Sequence, residues 1–328
     1  MMRVVVRWLG RVLAGLAVVA LGLWVFGPYE PVDTEIRFDR RVLADGVDPY
    51  LREREARFDD IRPGNEKRVI WYGLEEVPTE LAIVYLHGFS ASSEEIRPVP
   101  DGVAEALGAN LVFTRLTGHG RDGEAMAEAT AGDWINDVAE ALAIGRKVGR
   151  EVVVIATSTG GTAMAIAAQE AGLMRDVKGI AFVSPNFGIN NPNAPLLTLP
   201  AARYWLPVVA GETRSFSPRN EMQALNWTTR YPMVSVLPMV AMVKYAAGLD
   251  YGGVSTPALF YYSDEDQIVD ASVTAEVQAR WGGPVTRAAP ELGEGVDGMA
   301  HVIAGDTLSP GNTEAATETI LDWIRALP

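Results

Sequence analysis

Between residues 66 and 187, and again after residue 250, short apolar runs alternate with segments whose apolar residues recur every three or four positions. "RVIWYG" (68–73), "LAIVYLHG" (81–88), "NLVFTRL" (110–116), "EVVVIATS" (151–158), "VKGIAFVSP" (177–185), "ALFYYSD" (258–264) and "PVTRAA" (284–289) read as strands. Helical spacing lies between them, at 93–107, 131–149, 161–173, 271–281 and 313–327. In 131–149 it is carried by Trp134, Ile135, Val138, Leu142 and Ile144. Several of the strands are apolar without a break, which a strand buried on both faces requires. The pattern predicts an α/β fold, a mainly parallel sheet with helices on both faces. No internal repeat is present.

Two regions interrupt this alternation. The first is the N-terminus, where Arg3, Arg7 and Arg11 precede an uncharged stretch from Val12 to Tyr29. Its eighteen residues would span roughly 27 Å as a helix, close to the hydrocarbon thickness of a bilayer. Glu30, Asp33 and Glu35 follow it. Residues 1–30 are therefore expected to form a single-pass transmembrane anchor, with the arginines cytoplasmic and the rest of the chain on the outer side. The competing reading is a cleaved signal peptide and a secreted product, but "WVFGPYEPV" offers a poor small-x-small cleavage site. Residues 31–65, charged and poor in apolar runs, read as a linker with a short surface helix. The second region is 188–250, where prolines at 192, 195, 200, 207, 218, 232 and 238 break an apolar, Met-rich stretch into short helices. Inserted between two sheet strands, it reads as a helical cap with an apolar underside. The α/β core is then divided between 66–187 and 251–328.

At 328 residues the chain suits one large α/β domain with an insertion, and its 48% hydrophobic content can fill a core. A formal net charge of −14 argues against a nucleic-acid partner, which favours a basic stripe. With no cysteine, disulfides, thiolate catalysis and zinc–cysteine sites are excluded. No P-loop, dinucleotide fingerprint or HExxH spacing occurs, and neither a cofactor nor a metal is expected.

"VVVIATSTGGTAMAIAA" (152–168) carries the candidate chemistry. A serine held on a sharp strand-to-helix turn projects its hydroxyl above the sheet, and the turn needs small residues on either side. Ala156 and Gly160 flank Ser158 by two positions, making A-x-S-x-G where G-x-S-x-G is usual. A serine needs a base, and only three histidines exist, His87, His119 and His301. His87 and His119 sit in turns directly after strands, where a structural hydrogen bond is expected. His301, in "DGMAHVIAGD" between the last strand and the last helix, can reach over the sheet edge to Ser158. A carboxylate must orient that base. "SDEDQIVD" (263–270) offers Asp266, with Asp264 as the alternative. "YLHGFSAS" (85–92) ends a strand in His-Gly, so the backbone N–H groups of Phe89 and Thr159 are expected to converge on an oxyanion.

The order Ser, Asp, His, together with "HGF" upstream, "GHG" after the next strand, "DW" opening the following helix and "SDEDQIVD" after a Pro-led strand, resembles the α/β-hydrolase superfamily. The capped esterases and the monoacylglycerol-lipase or lysophospholipase-like members come closest, and the resemblance spans about 68–327. It implies a triad of Ser158, Asp266 and His301, with Phe89 and Thr159 as oxyanion donors. It departs from the pattern at Ala156 and in an extra acidic, glycine-rich loop at 290–298. The expected function is a serine carboxylester hydrolase that works through an acyl-enzyme on a lipophilic small-molecule ester. Medium-chain, monoacylglycerol-like or lysophospholipid-like esters are the expected class. Amidase, peptidase and acyltransferase activities of the same fold are the alternatives, along with a non-catalytic binding protein on this scaffold.

Overall fold

The computed structural model describes residues 2–328, except for the side chains of residues 2–4 and 16. Met1 and the Arg3 side chain, both part of the expected anchor, lie outside the described residues. In chain order the helices are α1 (Met2–Phe26), α2 (Val47–Glu55), α3 (Val99–Leu107), α4 (Ala131–Val148), α5 (Ser158–Ala167), α6 (Ala171–Met174), α7 (Ala202–Ala210), α8 (Glu221–Asn226), α9 (Val236–Ala247), α10 (Ala271–Arg280) and α11 (Thr313–Arg325). The strands are β1 (Arg68–Ile70), β2 (Thr79–Leu86), β3 (Asn110–Phe113), β4 (Gly149–Thr157), β5 (Val177–Val183), β6 (Thr213–Ser215), β7 (Arg230–Pro232), β8 (Ala258–Tyr261) and β9 (Val285–Ala288).

Seven strands form one sheet in the order β1-β3-β2-β4-β5-β8-β9. Only β1 runs antiparallel to its neighbour. Because side chains alternate across a strand, each central strand feeds two cores. Val84 and Leu86 of β2, Val152 and Val154 of β4, and Phe182 of β5 face α4 and α5. Ile83 and Tyr85, Val153 and Ile155, and Val183 face α3 and α11. Apolar demand on both faces is why these strands read as unbroken runs. The helix expected from residue 93 begins only at Val99, since Pro98 disfavours helical backbone at Arg97 before it, while Pro100 is tolerated in the first turn. The stretch expected as one helix over 161–173 starts earlier, at Ser158, and divides into α5 and α6.

Residues 31–65 pack along the core. Leu43, Val47 and Leu51 are spaced by four, and this one stripe is buried against the α4 side of the sheet. Glu55 accepts two bonds from buried Arg115 at 2.8 Å, and buried Lys67 reaches Asp137 at 2.9 Å and also Glu140. A composition rich in charge hides this stripe, since only three residues of the segment are fully buried in it while Val32, Ile36, Phe38 and Tyr50 pack in part.

Residues 188–250 hold α7, the β6–β7 hairpin, α8 and α9. Leu206, Tyr231, Val236 and Leu237 pack on Met126 as a separate apolar cluster. Met242 and Ala246 of α9 join the main core. α7 is different: Tyr204, Val208 and Val209 are exposed by 73%, 85% and 76%.

Candidate active site

β2 and β4 are neighbours, with Leu86 level with Ala156. From β2 the chain crosses to β3 on one side, and from β4 it crosses to β5 on the other. Such a reversal opens a crevice beyond the carboxyl ends of the two strands. Ser158 leaves β4 there, and the Phe89 loop leaves β2 beside it.

Ser158 has φ +48°, a left-handed conformation that side chains other than glycine adopt only at a cost of about 1–3 kcal/mol. The following glycine makes the turn possible. A Cβ on Gly160 would lie 2.6 Å from the carbonyl oxygens of both His87 and Leu86. Helix α5 therefore abuts the end of β2 through bare backbone. The serine is 6% exposed at the amino end of this helix, whose partial positive charge favours an anion.

His301 Nε2 lies 3.1 Å from Ser158 Oγ, and its Nδ1 lies 2.8 Å from Asp266 Oδ2. Asp266 is held in turn, since its Oδ1 accepts from the backbone N–H of Ile268 (2.8 Å) and Val269 (2.9 Å). Burial opposes charge on His301, but the hydrogen bond and charge of Asp266 outweigh it, with Glu95 and Asp297 adding, so its pKa is raised above 6.5. Asp264 is elsewhere, paired with Arg287 at 2.8 Å on the surface.

Neither other histidine approaches Ser158 in this way. Leu116 N–H donates to His87 Nε2 at 3.0 Å, so His87 Nδ1 carries the proton and donates to the Gly88 carbonyl at 2.9 Å. Burial first, and then the neighbouring His119, hold His87 well below the usual imidazole range. Burial likewise pushes His119 down to about 4, among the rings of Phe89 and Trp134. The bond from His87 fixes the Gly88–Phe89 peptide, whose other end is the Phe89 N–H. Among the described residues, neither Phe89 N–H nor Thr159 N–H donates to another backbone carbonyl.

Sequence reasoning missed Asp297 and Glu95. Asp297, in the acidic loop at 290–298, accepts from the backbone N–H of Met299 (2.9 Å), His301 (3.3 Å) and Val302 (3.0 Å). It also pairs with Arg219 of the cap. Ala300, just before the histidine, has φ +53°. The sequence marks this stretch only as an extra acidic, glycine-rich loop, and the fold shows it closing on its own amides. Glu95 is buried beside Gly88.

The cap rests on both loops that flank the serine. Thr228 N–H donates to the Ser90 carbonyl at 2.7 Å, and the Tyr231 ring meets Phe89 edge-on at 5.5 Å. On the other side, Asn220 Nδ2 donates to the Thr307 carbonyl at 2.6 Å. Chemically, this is a hydroxyl aligned with an imidazole that a carboxylate orients, with the Thr159 amide at a helix start and the Phe89 amide in the loop after β2. Such a constellation can carry out nucleophilic acyl transfer.

Known proteins share this arrangement of elements. No curated protein matches the sequence. Among solved structures, one chain from work on the metagenome-derived lipolytic enzymes LipS and LipT superposes with a TM-score of 0.65 at 21% identity, over 81% of this chain and 99% of that one. The monoacylglycerol lipase of Paleococcus ferrophilus gives 0.56 at 13% identity, over 79% and 98%. A soluble variant of the Saccharomyces cerevisiae monoglyceride lipase, in complex with a substrate analog, gives 0.56 at 11%, over 79% and 90%. At these identities the likeness is one of fold. The sequence itself matches the model of the alpha/beta hydrolase family over residues 83–307, and the chain belongs to that family.

Proposed function

We propose that the protein is a membrane-anchored serine carboxylester hydrolase for lipophilic esters. The hydrogen-bonded series Ser158–His301–Asp266 carries the reading. Ser158 Oγ attacks the ester carbonyl while His301 Nε2 takes its proton, and the oxyanion forms against the N–H groups of Phe89 and Thr159. Asp266 stabilises the imidazolium. His301 then gives the proton to the departing alcohol, leaving an acyl-enzyme on Ser158. Water, deprotonated by the same imidazole, attacks that acyl group and releases the acid.

Three observations support a lipophilic substrate and a membrane location. The first is the helix Val5–Phe26, which is long and apolar enough to cross a bilayer, with Arg7 and Arg11 in its first half and acidic residues after it. The second is how that helix meets the cap. Ala201 N–H donates to the Pro28 carbonyl at 2.7 Å, and Arg203 pairs with Glu30, its Nε at 3.1 Å. The exposed Val208 and Val209 follow within one short helix, about 10 Å along from Ala201 at 1.5 Å per residue. The third is that two of the superposable folds are named monoacylglycerol or monoglyceride lipases. The cap then stands at the bilayer surface, where esters with acyl chains concentrate, on the outer side of the membrane.

The test is kcat/KM over p-nitrophenyl esters from acetate to palmitate, using the full chain in detergent. Each added methylene should contribute up to about 0.8 kcal/mol until the acyl site is filled, giving a maximum at medium chain length. A steady fall from acetate would reject the lipophilic class. Cleavage of aminoacyl amides without ester preference would move the protein to the peptidases.

A further inference from the structure

Glu95 lies in the loop that carries the chain from β2 to α3 and is 3% exposed. Its Oε2 accepts from Gly88 N–H at 2.6 Å and from the Tyr85 hydroxyl at 3.2 Å. Its Oε1 lies over the Gly88 α-carbon on the Ser158 side. A methyl group placed on Gly88 would sit 2.7 Å from Oε1 and 3.0 Å from Ser158 Cβ. A second carboxyl group thus stands one glycine away from the nucleophile.

A loop staple needs only a neutral acceptor. A carboxyl buried in this place carries a desolvation cost that an amide side chain would avoid. The compensating groups are few. Burial pushes Glu95 up to about 7, and the Gly88 amide, the charge of His301 and the Tyr85 hydroxyl pull it back. Protonated His301 is the one charged side chain among these compensating groups, and it forms in the transition state of acyl transfer.

We propose that Glu95 is a positioning residue of the Ser158 site. Its carboxyl fixes the Gly88 amide so that the next peptide presents Phe89 N–H to the oxyanion, and its charge supports the imidazolium of His301 alongside Asp266. The proposal rests on the serine-hydrolase reading above. Gly88 is then held on both sides: His87 donates to its carbonyl, in the peptide that ends in Phe89 N–H, and Glu95 accepts from its N–H, in the peptide before it.

The sign of the electrostatic effect follows from the groups present. His301 faces Asp266 from the loop after β8, Asp297 from its own loop, Ser158 from the turn after β4, and Glu95. Glu95 faces Tyr85 of β2, whose hydroxyl also meets Thr157 Oγ1 at 3.3 Å. Tyr85 is held well above its ordinary pKa of 10.0 by burial first and then by the charge of Glu95, so it stays a donor. The base must be neutral to act, so activity is lost as pH falls through the His301 pKa, which lies above 6.5. Glu95 itself titrates at about 7, so its charge is present at the top of that limb and is lost as pH falls; removing it lowers the apparent pKa of His301 and moves the acid limb to lower pH.

The experiment measures kcat and KM against pH for p-nitrophenyl butyrate, with the full chain in detergent, for wild type, Glu95→Gln and Glu95→Ala. Glutamine keeps an acceptor for Gly88 N–H without the charge. Its acid limb should move down by up to about one pH unit, the effect of one nearby charge in a partly screened site where that charge is itself titrating. Alanine frees the Gly88 amide, and its plateau kcat should fall about 10–100-fold with little change in KM, a larger fall than in the glutamine variant. An acid limb unmoved in Glu95→Gln, or a plateau kcat in Glu95→Ala equal to wild type, overturns the proposal. Turnover by Ser158→Ala at the wild-type rate would instead remove the reading beneath it.

Discussion

α5 and α7 are helices of similar length and similarly apolar sequence, one behind the nucleophile and one in the cap. Every residue of α5 from Ser158 to Ala167 is buried, whereas α7 buries only Ala202 and Leu206 and exposes Val208 and Val209. α5 is fixed by the protein's own backbone, which approaches so closely at Gly160 that no side chain fits. α7 is tied at its start through Pro28 and Glu30 and packs inward only through Ala202 and Leu206, while Tyr204, Val208 and Val209 on its outer face are exposed. Apolar sequence thus serves two purposes here. One helix completes the molecule from within, and the other is suited to surroundings outside it.

The sharpest way to break this comparison is to add one methyl group at each kind of site. Gly160→Ala drives a Cβ into the His87 and Leu86 carbonyls and should destabilise the protein by about 1–3 kcal/mol. Because the turn at Ser158 must shift, ester turnover should be lost by about 100-fold or more. Gly253 has open space around it, so Gly253→Ala should change stability by no more than about 0.5 kcal/mol. Thermal unfolding and p-nitrophenyl butyrate kinetics read both variants.

Next in size is the loop that carries the base. Asp297→Ala removes the acceptor for the backbone of Met299, His301 and Val302, and with it the pair to Arg219. Hydrogen bonds to a charged group contribute about 1.5–3 kcal/mol each at most, and misplacement of His301 should lower kcat about 10–100-fold with KM little changed. Equal kinetics in Asp297→Ala would show that the loop holds His301 by other means.

A smaller and more selective effect is expected at α7. Val208→Asp combined with Val209→Asp should lower turnover of an ester embedded in lipid vesicles several-fold, since it replaces apolar side chains that would enter the headgroup–acyl boundary with carboxylates that anionic lipid repels. Hydrolysis of soluble p-nitrophenyl butyrate by the same variant should stay close to wild type. An equal loss on both substrates would mean that this face supports the fold and not a surface outside it. The smallest effect belongs to α4, which begins with a reciprocal cap between Thr130 and Asp133. Thr130→Ala should cost about 1 kcal/mol in thermal or denaturant unfolding and leave kcat unchanged.

Much of the core was legible because its signals are local. Apolar runs marked the strands, three-to-four spacing marked α4 and α11, and Thr-Ser-Thr-Gly-Gly marked a turn that only small residues permit. Chain order pointed to His301 as the base and narrowed the carboxylate to Asp266, with Asp264 as the alternative. Segment 31–65 was obscured because a three-residue stripe at Leu43, Val47 and Leu51 is diluted by charge. Glu95 and Asp297 were hidden for another reason. Each accepts from backbone amides or sits near side chains that the sequence cannot place, so a buried carboxylate looks like any other acidic residue in a loop.

The central claim is that Ser158 is a nucleophile activated by His301. The most direct measurement is peptide mapping of the full-length protein by mass spectrometry after treatment with a fluorophosphonate. The account predicts one adduct, on Ser158, forming in wild type and abolished or greatly slowed in His301→Ala, whose folding is checked by circular dichroism. An adduct on another residue, or unimpaired labelling of Ser158 in folded His301→Ala, would contradict it.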